Sequence, residues 1–181
     1  MKPAPIQLLQ LLFKKVSVQI DERHAPREPN NPFTTVFVFD GVDISTVFGI
    51  GEIDPDHERG RLFLVTLQVM VDNQPSDQAL ERKFCPYLID VEVRGVVLVR
   101  KGAEKLAPPE DLAAVNGASL LWSAVREQVL TVTSRMLAGP VTLPTMNFHD
   151  LKQGTPAVEP DVPAAKPKAS RRKKTGNADP T

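Results

Sequence analysis

Apolar and polar positions alternate with period two over most of the first hundred residues, and with a helical period after that. The cleanest alternation runs from Arg61 to Asp72. Phe63, Val65, Leu67, Val69 and Val71 share one face, and Thr66, Gln68 and Asp72 the other. Phe84–Arg100 repeats it, with Ile89, Val91 and Val93 inward and Asp90, Glu92 and Arg94 outward. Gly95 interrupts this second run, and a bulge there would let Val96–Val99 continue. Near the N-terminus, Val16, Val18 and Ile20 alternate with Lys15, Ser17 and Gln19. The preceding Ile6–Phe13 also admits a helix, but the whole of residues 6–20 reads as one long strand.

Between the first strand and the clean pair lie two shorter candidates, Thr34–Phe39 and Thr46–Ile53, separated by the turn signal Asp40-Gly41. The stretch His24–Pro32, with three prolines, predicts a loop. Aromatic residues concentrate just after it, at Phe33, Phe37, Phe39 and Phe48. No helix separates the later strands, so the sheet is expected to be antiparallel.

From Ala118 onward the period changes. Leu121, Trp122, Val125, Val129, Val132 and Met136 fall within an arc of roughly 100° at 100° per residue, a core-facing stripe. Gly139-Pro140 supplies a helix stop. A short apolar return, Val141–Met146, leads to Asn147, a candidate cap for a last short helix. Pro109-Glu110-Asp111 opens another short helix, which Asn116-Gly117 separates from the long one. Leu120, Leu130 and Leu137 lie away from the core stripe and indicate a second packing surface, as against another subunit. The expected fold is therefore α+β: a four-stranded antiparallel sheet packed with a long C-terminal helix and short flanking helices.

Charge divides the chain in two. Residues 1–150 hold 15 Lys and Arg against 19 Asp and Glu; residues 151–181 hold 7 against 3. The prolines and Arg171-Arg172-Lys173-Lys174 of that C-terminal stretch predict one domain over 1–153 and a disordered basic tail over 154–181. The single Cys85 fits a reducing compartment and reads as a core thiol. No apolar run nears the roughly 18 residues needed to span a membrane. A soluble, cytoplasmic protein is expected.

Catalytic motifs are not evident. His24, His57 and His149 lack metal-ligand spacing, and Asp54–Glu58 reads as a solvated turn. Gly49-Ile50-Gly51 lacks both the third glycine and the helix of a dinucleotide fingerprint. No enzyme activity, metal or cofactor is expected. Surplus apolar surface describes a binding scaffold.

The order of elements, with Lys15-Val16-Ser17-Val18, Phe84–Val99, Val125-Arg126-Glu127, Thr133-Ser134-Arg135 and Leu143-Pro144-Thr145-Met146-Asn147-Phe148, resembles the SecB family of export chaperones over roughly residues 6–151. The resemblance implies a homotetramer, a dimer of dimers with helices between two eight-stranded sheets, that holds unfolded clients without ATP. It implies a client groove at Val47 and Phe148, to which Phe48, Ile50, Met146 and Leu151 are added by proximity and exposure. It also implies a SecA-docking face at Lys15, Gln19, Leu88, Asp90 and Glu92. In family members that face is acidic. Asp90 keeps the acid, whereas Lys15 and Gln19 do not, which puts SecA handover in doubt. Service to a toxin–antitoxin pair is one alternative. The other is an interaction protein whose basic tail binds RNA, ribosomes or anionic membrane. No sequence-specific nucleic-acid binding is expected.

Overall fold

The computed structural model describes residues 4–26, 37–74 and 83–152. They form an α+β unit with four strands: β1 (Ile6–Ile20), β2 (Ser45–Asp54), β3 (Gly60–Val71) and β4 (Tyr87–Arg100). A single long helix, α1 (Pro109–Thr133), covers one face, and short 3-10 turns occupy Ala103–Lys105 and His149–Leu151. The sheet is antiparallel in the order β1-β4-β3-β2.

β3 and β4 form the centre. Their register runs unbroken from Gly60 opposite Arg100 to Val71 opposite Ile89. β4 passes straight through Gly95, so the bulge expected there is absent. A side chain at Gly95 would collide with Leu121 of the helix and Leu8 of β1, each within 3 Å of its Cβ position. That glycine is set by close packing.

The irregularities lie in β1, between Leu8 and Gln10 and between Phe13 and Lys15. Each shifts the inward phase by one residue. Ile6, Leu8, Leu11, Phe13, Val18 and Ile20 all pack toward the core although their spacing is uneven. This explains why Ile6–Phe13 mimicked a helix: the bulge between Leu8 and Gln10 broke its period-two signal.

α1 is one helix of 25 residues, not a short helix and a long one. Asn116 does not break it because its side chain donates to the Leu112 carbonyl at 2.8 Å, one turn back. Gly117 sits where the helix lies against the sheet. A Cβ there would be 2.9 Å from one methyl of Val65 and 3.3 Å from Val97. Ala113, Ala114 and Ala118 flank it, and the larger Leu121, Trp122, Val125 and Val129 fill the space further along. Gly117→Leu is expected to destabilise the fold by about 2–3 kcal/mol through overpacking. A lowered urea midpoint, partly restored by adding Val65→Ala, checks this.

The helix also ends earlier than Gly139-Pro140. Thr133 closes it: its hydroxyl donates to the Val129 carbonyl and accepts from the Val141 N–H at 3.1 Å. Leu137 therefore lies beyond α1, 71% exposed. Of the strand expected at Thr34–Phe39, residues 34–36 lie outside the described residues. Phe37 makes one parallel bridge to Val141, outside the sheet. Asp40-Gly41 does form the expected turn. The tail at 154–181 lies outside the described residues.

Candidate functional site

The first candidate surface is built on the chain that returns from α1. This return is held by side chains, with one backbone bridge. Tyr87, fully buried in β4, donates to the Gly139 carbonyl at 2.6 Å, and burial pushes its phenol up to about 12. Trp122 donates to the Pro144 carbonyl and Arg126 to that of Leu143, at 2.8 and 2.7 Å. Leu143 and Val141 are buried as a result. The return then carries Phe148 edge-on to Trp122, with ring centroids 6.0 Å apart. The cap of the last turn is Phe148, not Asn147 as expected; the Asn147 side-chain oxygen instead accepts from the His149 N–H two residues on, at 3.0 Å, a local turn just before it.

The segment before β2 is pinned nearby. Phe37 bridges Val141 and meets Phe39 edge-to-face at 5.0 Å. Lys83 donates through its backbone to the Gly41 carbonyl and through Nζ to that of Val38, and its ammonium stands 4.4 Å above the Phe37 ring. Phe37, Phe48, Ile50, Met136 and Phe148 all pack on the core while remaining half-exposed. Met146 is exposed and Leu151 half-buried.

Of the six residues expected in a groove, Phe48, Ile50 and Phe148 lie against the one core. Val47 does not join them. Alternation along β2 puts it opposite Gln68, on the other face of the sheet from Phe48 and Ile50, which stand opposite Leu67 and Val65.

That other face is the second candidate. α1 covers only the inner side of the sheet; on the outer side Leu98, opposite Gln7 and Leu62, is fully buried, while most of the positions beyond it keep some exposure. The outer side chains fall in rows across β1, β4, β3 and β2: Gln10–Val96–Leu64–Gly51, Leu12–Arg94–Thr66–Gly49, Lys15–Glu92–Gln68–Val47 and Ser17–Asp90–Met70–Ser45. Gln19 stands opposite Leu88. Lys15, Gln19, Leu88, Asp90 and Glu92 are thus brought together, as expected.

Their charge is not what an acidic patch requires. Lys15 pairs with Asp90, which Gln68 also reaches at 2.9 Å; the Lys15 ammonium holds the carboxyl below its ordinary range. Lys14 pairs with Glu92 at 2.8 Å and lowers that carboxyl likewise. Strict alternation back from Val16 assigns Lys14 to the inner face. The bulge between Phe13 and Lys15 turns it outward, so sequence reading missed it.

A third cluster was also invisible in the sequence. Asp21, 4% exposed, ends β1. Its carboxylate accepts from Arg23 at 3.1 Å, His24 at 2.9 Å and Asn73 at 2.9 Å. Asn73, at φ 55°, in turn bonds both the carbonyl and the N–H of Cys85. His24 stacks on Phe84 at 4.2 Å. Donation from Arg23 holds the Asp21 carboxyl far below its usual range. Burial pushes the Cys85 thiol up to about 11, which suits a core residue rather than a nucleophile. The cluster ties the first strand to the ends of β3 and β4. No group of three His, Cys, Asp or Glu among the described residues is placed to hold a metal. No helix among them is long and apolar enough to cross a membrane.

Sheet, helix and clasped return define an α+β scaffold whose surface keeps two apolar regions open. No family model matches the chain, and no curated protein does. Among solved structures, a protein of unknown function from Streptococcus agalactiae is similar at 14% identity, over 77% of this chain and 96% of that one, with a TM-score of 0.42. At that score the likeness assigns neither fold nor function.

Proposed function

We propose that this chain is an ATP-independent holdase of the SecB type, binding unfolded or precursor proteins in the cytoplasm without metal or nucleotide. The observation that carries this reading is the half-exposed set Phe48, Ile50 and Phe148, continuous with the core but not closed over, with Met146 beside Phe148 in the chain. Extended clients bury such surface at about 25 cal/mol per Å². Many weak contacts distributed over an assembly then add as avidity. No sharp catalytic geometry is needed.

Assembly is supported by two features. β1 is a sheet edge of 15 residues with Leu9, Leu12 and Val16 exposed, and open apolar edges favour pairing with another chain. Pairing two copies along β1 would give an eight-stranded sheet. On α1, Leu120 and Leu130 stay exposed, and with Leu137 beyond its end they offer a surface for a second dimer.

The expected assembly is a tetramer that dissociates to dimers on dilution. Light scattering at tens of micromolar, roughly a working concentration for ordinary affinities, checks it. A stable monomer there would remove the assembly. Suppression of the aggregation of a slow-folding client at near-stoichiometric chaperone, with no nucleotide added, tests the holdase reading itself. No suppression by the intact assembly would overturn it.

The pairing of Asp90 and Glu92 with Lys15 and Lys14 favours a second reading of the duty. Acids already neutralised within the chain offer little to a SecA contact that needs them. A SecB-like chaperone serving a toxin–antitoxin pair fits that feature better than export does.

A further inference from the structure

The outer face of the sheet holds a shallow cavity of about 200 Å³, lined by Gln10, Leu12, Leu64, Arg94, Gly95 and Val96. Leu12 is 56% exposed at one end of its row. On the β2 side the trough is open, because Gly49 and Gly51 occupy the outward positions and nothing lies within 4 Å of where a Cβ on Gly51 would be. Val47, also 56% exposed, continues the apolar surface beyond the trough. Antiparallel sheets with one free face ordinarily keep that face polar. Here an aliphatic floor of Leu64 and Val96 is left uncovered among the described residues.

The charge beside this trough is positive. The rows of Gln10, Leu12 and Lys15, with the bulged Lys14, hold three cations (Lys14, Lys15 and Arg94) against one anion, Glu92. Asp90 in the next row takes Lys15 and still leaves one cation in excess. Glu92 is engaged by Lys14 at 2.8 Å and lies 3.6 Å from Arg94. Arg94 is therefore the guanidinium with capacity to spare, and it forms a wall of the trough. A guanidinium presents paired donors suited to a carboxylate. A partner that seats an aliphatic side chain on Leu64 and Val96 would bring its neighbouring residue to Arg94.

We propose that the outer face of the sheet docks a segment of another protein in which acidic residues alternate with aliphatic ones. A basic partner is disfavoured by the same charges. This surface lies on the opposite side of the sheet from Phe48 and Ile50, and the inference does not depend on the client-binding reading.

The test uses the whole chain and fluorescein-labelled synthetic peptides, one alternating Leu and Glu, one alternating Leu and Lys, and one alternating Ser and Glu, measured by anisotropy. The Leu/Glu peptide should bind at least about tenfold more tightly than either other peptide, and added salt should narrow its lead over Leu/Lys. Arg94→Glu should abolish or reverse the preference between Leu/Glu and Leu/Lys. Leu12→Ser, at an exposed position, should weaken Leu/Glu alone. Phe148→Asp should keep the lead of Leu/Glu over Leu/Lys. Equal or tighter binding of Leu/Lys, failure of any peptide to bind, or a Leu/Glu preference that survives Arg94→Glu would each overturn the assignment. So would loss of the Leu/Glu lead in Phe148→Asp, which would place the peptide in the other site.

Discussion

Asp21→Ala is expected to destabilise the folded chain by about 3 kcal/mol, the scale for removing one partner from a buried, charge-assisted cluster. Its carboxylate joins Arg23 and His24 to Asn73, and Asn73 in turn bonds both backbone groups of Cys85. Without it the Asn73 amide loses one acceptor and the end of β1 loses its tie to the neighbouring strands. Arg23 turns to water at little cost, which keeps the effect from being larger. The pH dependence has a definite sign. The folded Asp21 carboxyl titrates below its unfolded value. Its contribution is therefore full above the unfolded pKa of about 3.9 and falls away as pH drops through the folded value. The carboxyls of Glu52, Asp90 and Glu92 are lowered too, by their ion pairs at the surface, and lose their contributions in the same direction. Part of the acid sensitivity therefore remains when Asp21 is removed. Urea melts from pH 7 downward should show a shallower acid slope in Asp21→Ala than in the parent. Equal slopes and equal midpoints would mean that the cluster contributes nothing to stability.

The legible parts of this fold were those where one physical signal dominated. β3 and β4 alternate cleanly because they are central strands with α1 on one side and mostly part-exposed outer positions on the other. α1 was legible from Leu121 onward, where large side chains mark its buried stripe. Its first half was not, because contact there is made by Gly117 and alanines, which carry little hydrophobic signal, and because Asn116 satisfies itself within the helix. β1 hid its phase behind two bulges, and the second of them concealed Lys14. That one residue changes the electrostatic reading of the outer face. The Asp21 cluster could not be read at all, since Asn73 and Cys85 stand 52 and 64 positions from it in the chain and nothing local pairs them.

The candidate groove was legible in part, and the reason bears on how it should be tested. Phe148 was named from the family resemblance and Phe48 and Ile50 by proximity and exposure, and all three are partly buried against the core. Val47 came from the family resemblance and Phe48 and Ile50 were set beside it by proximity, but adjacent strand residues face opposite ways, so the three do not share one face. The Tyr87, Trp122, Arg126 and Thr133 bonds that hold the return in place were missed because each joins a side chain to a distant backbone atom. Those bonds fix the return while leaving its last aromatic ring partly exposed.

Phe148→Asp is accordingly expected to lower client affinity at least tenfold without unfolding the chain. Trp122 stays tied to the Pro144 carbonyl and Arg126 to that of Leu143, so the return keeps its position when the ring is lost. Fully burying a phenylalanine contributes about 1.5–3 kcal/mol, and a half-exposed ring offers a client part of that. The new carboxylate adds a desolvation cost when an apolar segment covers it. Together these reach about 2 kcal/mol at one site, more than the roughly 1.4 kcal/mol that makes a factor of ten. In an assembly with several such sites the losses multiply along one wrapped client. Met146→Asp should act in the same direction but less, because Met146 has no ring seated on Trp122 and is already 39% exposed. Val47→Asp, on the other face, should leave client binding unchanged. Affinity for a permanently unfolded client, measured by titration calorimetry with light scattering to confirm the assembly, gives the ranking. A Phe148→Asp assembly that binds as well as the parent, or a Val47→Asp chain that loses binding, would move the client site off the return.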